Sequence, residues 1–242
     1  MPELTLKQRI HDGETVIGVG LPYTADRDYV EGLLDRHAYD FCHVDVQHSP
    51  INEEAILSFC AIAHDFGLPV KMRIKHARDA YLIGNYLDLG LSGIEIPSAE
   101  LESTVDEATN ALFYPPTGRR SWGQPHPGPG IPTDRIKHAK WYDNYGMLWL
   151  QMESIVGVTN ARRLAKPGVD CFSFGPNDLN FDIETYPAHP LDSVDKCVKH
   201  VLEQLADSTA AVCFRTTPED RKKYADMGVT VFLEPPPDAH SL

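Results

Sequence analysis

The chain is short of the features that would send it to a membrane, to nucleic acid or through an oxidising compartment. Nowhere in its 242 residues does an apolar stretch approach the about 18 residues of a transmembrane helix. The start, Met1-Pro2-Glu3-Leu4-Thr5-Leu6-Lys7, lacks the apolar segment of a signal peptide. Positive charge is scarce: 22 Lys and Arg stand against 35 Asp and Glu, and a formal net charge of -13 disfavours nucleic-acid and anionic-membrane partners. The 5 cysteines are odd in number and form no CxxC pair, which argues against a disulfide framework or a redox motif. Cys42, Cys171 and Cys213 fall inside expected strands, where a thiol behaves as a small hydrophobe. Internal repeats and low-complexity tracts are also missing. A cytoplasmic protein acting on small molecules is the expectation.

Hydrophobic residues at 42% and charged residues at 24% are globular proportions, enough for a sizeable core. Eight short runs rich in strand formers alternate with helical stretches: 15–21, 41–47, 69–74, 93–97, 147–152, 171–175, 210–215 and 229–234. Amphipathic segments at 52–66, 77–89, 101–112, 192–206 and 218–227 lie between them, with Asn52 placed to cap the first, and Gly67, Gly90 and Gly228 placed to end helical runs. Strands spaced by helices argue for βαβ units and a parallel sheet. Eight of them predict one domain over residues 1–242, a (β/α)8 TIM barrel, with an open doubly wound sheet as the alternative. The segment 114–132, rich in Pro, Gly and Arg, is too long for an ordinary connection and is expected to cover or flank the barrel mouth.

In a barrel, chemistry collects just beyond the C-terminal ends of the strands. Glu153 follows the fifth run and Asp178 the sixth. If both runs are parallel strands joined by a right-handed crossover, their ends are neighbours roughly 5 Å apart, and the two carboxylates can share one cation. Oxygen donors alone select a hard ion, magnesium or manganese first, with cobalt as a further candidate. His43, His48, Cys42 and Cys171 do not make a spaced zinc set. A 2-keto acid can fill two open positions on such an ion, which then acts as a Lewis acid towards an enolate.

Asp45 and Gln47 share a face at the end of the second run, and His48 opens the loop beyond, within reach of a substrate or a water. Arg73 ends the third run, where a guanidinium can hold a carboxylate through two parallel hydrogen bonds. The competing reading for Arg73 is a structural ion pair with Asp45 or Glu95, and for the rim acids a pairing with arginines. Lys75 as an iminium-forming amine is disfavoured by its neighbours His76 and Arg78. The seventh and eighth runs end in Arg215-Thr216-Thr217-Pro218 and Glu234-Pro235-Pro236-Pro237 without glycine-rich phosphate loops, so an unphosphorylated substrate is expected.

Taken in order, Asp45-Val46-Gln47-His48-Ser49-Pro50-Ile51-Asn52, Pro69-Val70-Lys71-Met72-Arg73, Tyr114-Pro115-Pro116-Thr117-Gly118-Arg119-Arg120, Gln151-Met152-Glu153-Ser154 and Gly175-Pro176-Asn177-Asp178-Leu179 resemble the HpcH/HpaI family of metal-dependent pyruvate aldolases. The resemblance implies a TIM barrel with a divalent ion on Glu153 and Asp178. It implies that Arg73 binds the keto acid, that Gln151 and the backbone around Asn177 line its pocket, and that His48 moves protons through a water. Asp45 belongs to the same catalytic rim, and Asp88 matches an acid that the family pairs with the His, although the strand reading sets Asp88 before the fourth strand, towards the opposite end. Gln47, Asn177 and Ser121-Trp122 depart from the family pattern. The family's eighth helix, which packs across to a neighbouring subunit, finds no counterpart after the last run, which bears on the expected homo-oligomer.

The function expected is therefore a class II aldolase, a carbon–carbon lyase joining or splitting a 4-hydroxy-2-keto acid through a pyruvate-type enolate and an aldehyde. An oxaloacetate decarboxylase, or a bond-forming synthase of the macrophomate synthase kind, uses the same enolate. A catalytically silent barrel that binds a small acid is the alternative from another class.

Overall fold

The computed structural model describes residues 4–123 and 131–237. Eight strands, β1 (Val16–Gly20), β2 (Phe41–Asp45), β3 (Val70–Arg73), β4 (Gly93–Ile96), β5 (Met147–Met152), β6 (Cys171–Phe174), β7 (Ala211–Arg215) and β8 (Val231–Glu234), form a closed barrel in sequence order. Every pairing is parallel, and β1 closes on β8 with Val16 opposite Val231. The TIM barrel expected from the alternating runs is the fold observed. Strand β5 matches its run, and each of the other seven is a residue or two shorter where the ends pass into loops.

Alternation sorts the strand residues into two sets. Cys42, Val44, Val70, Met72, Ile94, Leu148, Leu150, Phe172, Val212 and Phe232 face the surrounding helices, whereas Val16, Phe41, Met147, Trp149, Cys171, Cys213, Val231 and Leu233 fill the barrel. Gly18 makes room for this filling: a Cβ there would lie 2.2 Å from the Phe41 ring. Phe41 and Trp149 meet edge to face with centroids 5.4 Å apart. All five cysteines are buried free thiols.

The helix Leu6–His11 was not anticipated, and it seals the N-terminal end of the barrel by packing Leu6 and Ile10 onto this apolar plug. Thr5 and Gln8 form its capping box. Lys7 is held by the Gly146 carbonyl at 3.0 Å and by Asp170 at 3.3 Å. The helices Arg27–Leu34, Arg135–Asp143, Ile155–Thr159, Ala161–Leu164 and Pro176–Thr185 were also missed, because one to three turns give too few repeats for a period to show.

Helix Glu53–Asp65 is capped by Asn52, whose side chain accepts from the Ala55 N–H at 3.1 Å. Gly67, Gly90 and Gly228 take φ of 69°, 97° and 107° before β3, β4 and β8, the left-handed stop that glycine allows cheaply. Segment 77–89 is not one helix: it opens as a 3₁₀ stretch, Ala77–Leu82, before Ile83–Leu87 turns α-helical. No described helix is long and apolar enough to cross a membrane. Among the described residues β8 is the last element.

The expected cover over the barrel mouth needs correction. Arg120 donates to Asp88 at 2.5 Å, and its guanidinium lies 4.7 Å from the ring centroids of both Tyr114 and Tyr142. Ile131 lines a hollow with Gly67, Pro69, Ser92 and Met147, at the starts of the strands. Both described flanks of the segment thus lie away from the mouth; residues 124–130 fall outside the described part.

Candidate active site

At the C-terminal rim, β2, β3 and β5 bring Asp45, Arg73 and Gln151 together. Arg73 Nε donates to Asp45 Oδ1 at 2.9 Å, a terminal nitrogen donates to Asp45 Oδ2, and the other donates to Gln151 Oε1 at 3.0 Å. Burial alone would raise the Asp45 carboxyl, but the hydrogen bonds and charge of Arg73 outweigh it and hold the group below its ordinary value. Asp45 also accepts from the Gln47 N–H at 2.9 Å, so it is already engaged on both oxygens. The structural pairing weighed for Arg73 is therefore present. It uses three of the five guanidinium N–H groups and leaves two for a ligand.

Glu153 stands just beyond β5, and the β5–β6 register, Met152 opposite Phe174, puts it beside the helix Pro176–Thr185 that carries Asp178 in its first turn. Ser98 clamps one oxygen, Oε1, through its N–H at 2.8 Å and its hydroxyl at 2.6 Å. The other, Oε2, is buried without a hydrogen-bond partner among the described residues. Burial raises the Glu153 pKa; the Ser98 hydrogen bonds and Arg73 oppose the rise, and the charge of Asp178 adds to it. Two carboxylates that repel one another, one with a bare buried oxygen, suit an oxygen-seeking cation. Gly175 shapes the same spot: a Cβ would lie 2.5 Å from Gln151 Nε2 and 3.1 Å from Glu153 Oε2. Among the described residues no group of three or more His, Cys, Asp or Glu is arranged to hold a metal.

Asp178 and Asn177 are exposed, as is His48 on the loop after β2. Asp88 is not brought to this rim. It ends the helix Ile83–Leu87 ahead of β4, at the opposite end of the barrel, and Arg120 holds it there. Lys75 is exposed and donates to the Ser49 carbonyl at 2.8 Å, not placed for iminium chemistry.

Beside the rim lies a charged layer that sequence reasoning named only in fragments: His43 and Lys71 stand two residues before Asp45 and Arg73, and Glu95 pairs with Arg73 across the strands. Lys71 and Glu95 are fully buried and paired, and Arg215 donates to Glu95 at 2.7 Å. Lys71 Nζ also sits 4.2 Å from the Trp149 ring centroid. Burial alone would raise Glu95, yet the charges of Arg215 and Lys71 hold it well below the usual carboxylate range. Arg215 approaches His43 Nε2 at 3.3 Å. A guanidinium only donates, so Nε2 accepts and the proton of this imidazole sits on Nδ1. Burial, reinforced by Lys71 and Arg215, keeps His43 neutral, its pKa well below the ordinary histidine value. The available signal was spacing: His43, Lys71 and Glu95 share the inward phase of Asp45, Arg73 and the strand 93–96.

Two cavities open at this end. One, of about 400 Å³, is lined by His43, Asn177, Arg215, Thr216 and Thr217 among others. The other, of about 370 Å³, is lined by Tyr23, Asp45 and Ser49, and the two share Gly20 and His43. A larger hollow of about 560 Å³ at the starts of the strands is remote from all of these groups.

Residues 25–230 match the family described as HpcH/HpaI aldolase/citrate lyase. The chain belongs to that family. It is 27% identical over 225 residues to a hydroxypyruvate/pyruvate aldolase of Roseobacter denitrificans, covering 89% of this chain and 84% of the relative. It is likewise 27% identical over 198 residues to a 2-keto-3-deoxy-L-rhamnonate aldolase of Salmonella gallinarum, covering 76% and 69%. In fold it is similar to an HpcH/HpaI aldolase from Desulfitobacterium hafniense, with a TM-score of 0.85 at 23% identity over 99% of this chain and 93% of the other.

Proposed function

We propose that this chain is a class II pyruvate aldolase, cleaving or forming 4-hydroxy-2-keto acids with a divalent cation, magnesium or manganese, held by Glu153 and Asp178. The observation that carries the reading is the buried, unpartnered Oε2 of Glu153 next to Asp178, on the same rim as Arg73 with two spare donors. When bound, such a cation supplies Lewis-acid stabilisation of negative charge on the keto oxygen.

The chain's own residues do the rest. Arg73, held in place by Asp45, turns its two free N–H groups to the keto-acid carboxylate. Gln151 gives its Oε1 to Arg73 and keeps its amide N–H groups for the substrate. In the cleavage direction the C4 hydroxyl loses its proton, the C3–C4 electron pair stays with C3, and an aldehyde leaves. The enolate then takes a proton at C3 and becomes pyruvate. His48, exposed at the rim, passes these protons through a water. Asp45 acts as a positioning residue for Arg73. Asp88 has no part within its own barrel. Cytoplasmic location and homo-oligomeric assembly belong to the same reading, and sedimentation tests the latter.

Solvent exchange of the pyruvate methyl protons, followed by NMR in deuterated buffer, tests the proposal. Exchange and pyruvate release from a 4-hydroxy-2-keto acid are expected to vanish with chelator and to return with magnesium or manganese. His48→Ala is expected to slow exchange strongly. Activity indifferent to metal would remove this mechanism, absence of all exchange would favour a silent acid-binding barrel, and oxaloacetate turnover without retro-aldol activity would favour a decarboxylase.

A further inference from the structure

Ser98 stands where serine is a costly choice. Among the described residues it alone, glycines aside, has a positive φ, 45°. Glycine adopts that left-handed region freely and asparagine and aspartate visit it, whereas the Cβ of other residues crowds the following carbonyl. No packing calls for a side chain there, because the residue is exposed.

Its neighbours hold the turn in place. The Ala99 N–H donates to the Gln151 carbonyl at 3.3 Å, and the Asn160 side-chain amide donates to the Glu100 carbonyl at 3.1 Å. The Ser154 hydroxyl donates to the Glu100 carboxylate at 2.6 Å. Ala99 is buried, and a Cβ on Gly157 would lie 2.9 Å from its carbonyl oxygen, so the helix Ile155–Thr159 abuts the loop backbone. Strain enforced from both flanks persists where the strained residue has a task.

The hydroxyl supplies one. A carboxylate oxygen has two lone pairs, and Ser98 takes both of those on Glu153 Oε1, one with its N–H at 2.8 Å and one with its hydroxyl at 2.6 Å. A glycine would keep the first bond without strain and forgo the second. We propose that Ser98 is a specificity-determining residue of the candidate cation site, its hydroxyl withholding Glu153 Oε1 and so favouring magnesium or manganese over calcium. It rests on the metal-dependent reading above and adds which ions the site refuses. Calcium takes about six to eight oxygens and readily accepts both oxygens of a carboxylate, whereas magnesium keeps to six in strict geometry. With Oε1 spent, the carboxylate pair repays calcium poorly for its lost water.

The test is manganese binding to the full chain without substrate, read from the EPR signal of the free ion, with calcium as competitor. Wild type is expected to favour manganese. Ser98→Ala and Ser98→Gly are each expected to lower that preference by about tenfold, the lower end of what hydrogen-bond partners of metal ligands contribute. The glycine variant keeps the N–H and relaxes the turn, so it reads the hydroxyl even if the alanine variant folds poorly. Asn160→Ala loosens the loop and leaves the hydroxyl in place, and its ratio is expected to stay at the wild-type value. Wild type that binds no manganese overturns the metal-dependent reading together with this inference. Manganese bound with an unchanged ratio in both Ser98 variants overturns the inference alone, as does a wild type that favours calcium. An equal shift in Asn160→Ala also overturns it, since the preference would then belong to loop rigidity.

Discussion

Where its strands begin, the barrel is sealed by Phe41, Met147 and Trp149 under Leu6 and Ile10; where they finish, several buried polar atoms have no hydrogen-bond partner among the described residues, against one in the plug, Trp149 Nε1. Glu153 Oε2, Gln47 Oε1, His43 Nδ1 and Arg215 Nε all belong to the second end. An unpaired buried polar atom costs about 1 to 3 kcal/mol, so four in one region are a standing debt against folding. The apolar end offsets it by ordinary packing. Stability is concentrated at one pole and reactivity at the other, and substitutions at the two poles should therefore fail in different ways.

The largest contrast is expected at Glu153. Glu153→Gln keeps the shape and removes the charge, so retro-aldol turnover should fall by about three orders of magnitude, a barrier increase near 4 kcal/mol. Its melting temperature should hold or rise, as read by calorimetry without metal, because a repulsion with Asp178 is relieved. At the other pole Trp149→Ala should cost about 3 to 5 kcal/mol of stability in denaturant unfolding, through lost burial and the cavity left behind. A Trp149→Ala protein as stable as wild type would break the division of labour.

Smaller effects sharpen it. Arg73→Lys keeps the charge but loses the planar fork, so KM for the keto acid should rise about tenfold with a lesser change in kcat, measured by steady-state kinetics. The smallest effect concerns His43. Its folded pKa lies well below the ordinary value, so the folded chain binds fewer protons than the unfolded one. The resulting stability is present above about pH 6.5 and is lost as pH falls below it, with a slope of up to about 1.4 kcal/mol per pH unit. Glu95 has the same sign in a lower window, beginning below about pH 4.3. Urea unfolding between pH 7 and 5 should therefore show a shallower decline in His43→Asn than in wild type; equal slopes would remove His43 from the account.

The strands were legible because a parallel barrel strand is a short run of strand formers bounded by turns, and all eight runs became strands. The rim was legible because topology alone puts Asp45, Arg73, Gln151 and Glu153 at strand ends. The layer of His43, Lys71, Glu95 and Arg215 was not, since barrel strands are buried on both faces and alternation does not say which face is the interior. Ser98 was invisible for a different reason: its contact with Glu153 depends on a φ of 45°, which no periodicity encodes. Asp88 was placed ahead of β4 by the strand reading and is found there, held by Arg120, a contact from 32 residues along the chain that the residues flanking Asp88 do not announce.

That left-handed serine has a consequence for denticity. By occupying Oε1 twice over, Ser98 leaves Glu153 a single oxygen to offer, so the carboxylate is prepared to be a one-toothed ligand. Were Glu153 to hold the proposed hard cation, it would offer that ion one oxygen and would leave the remaining positions to a keto acid and water.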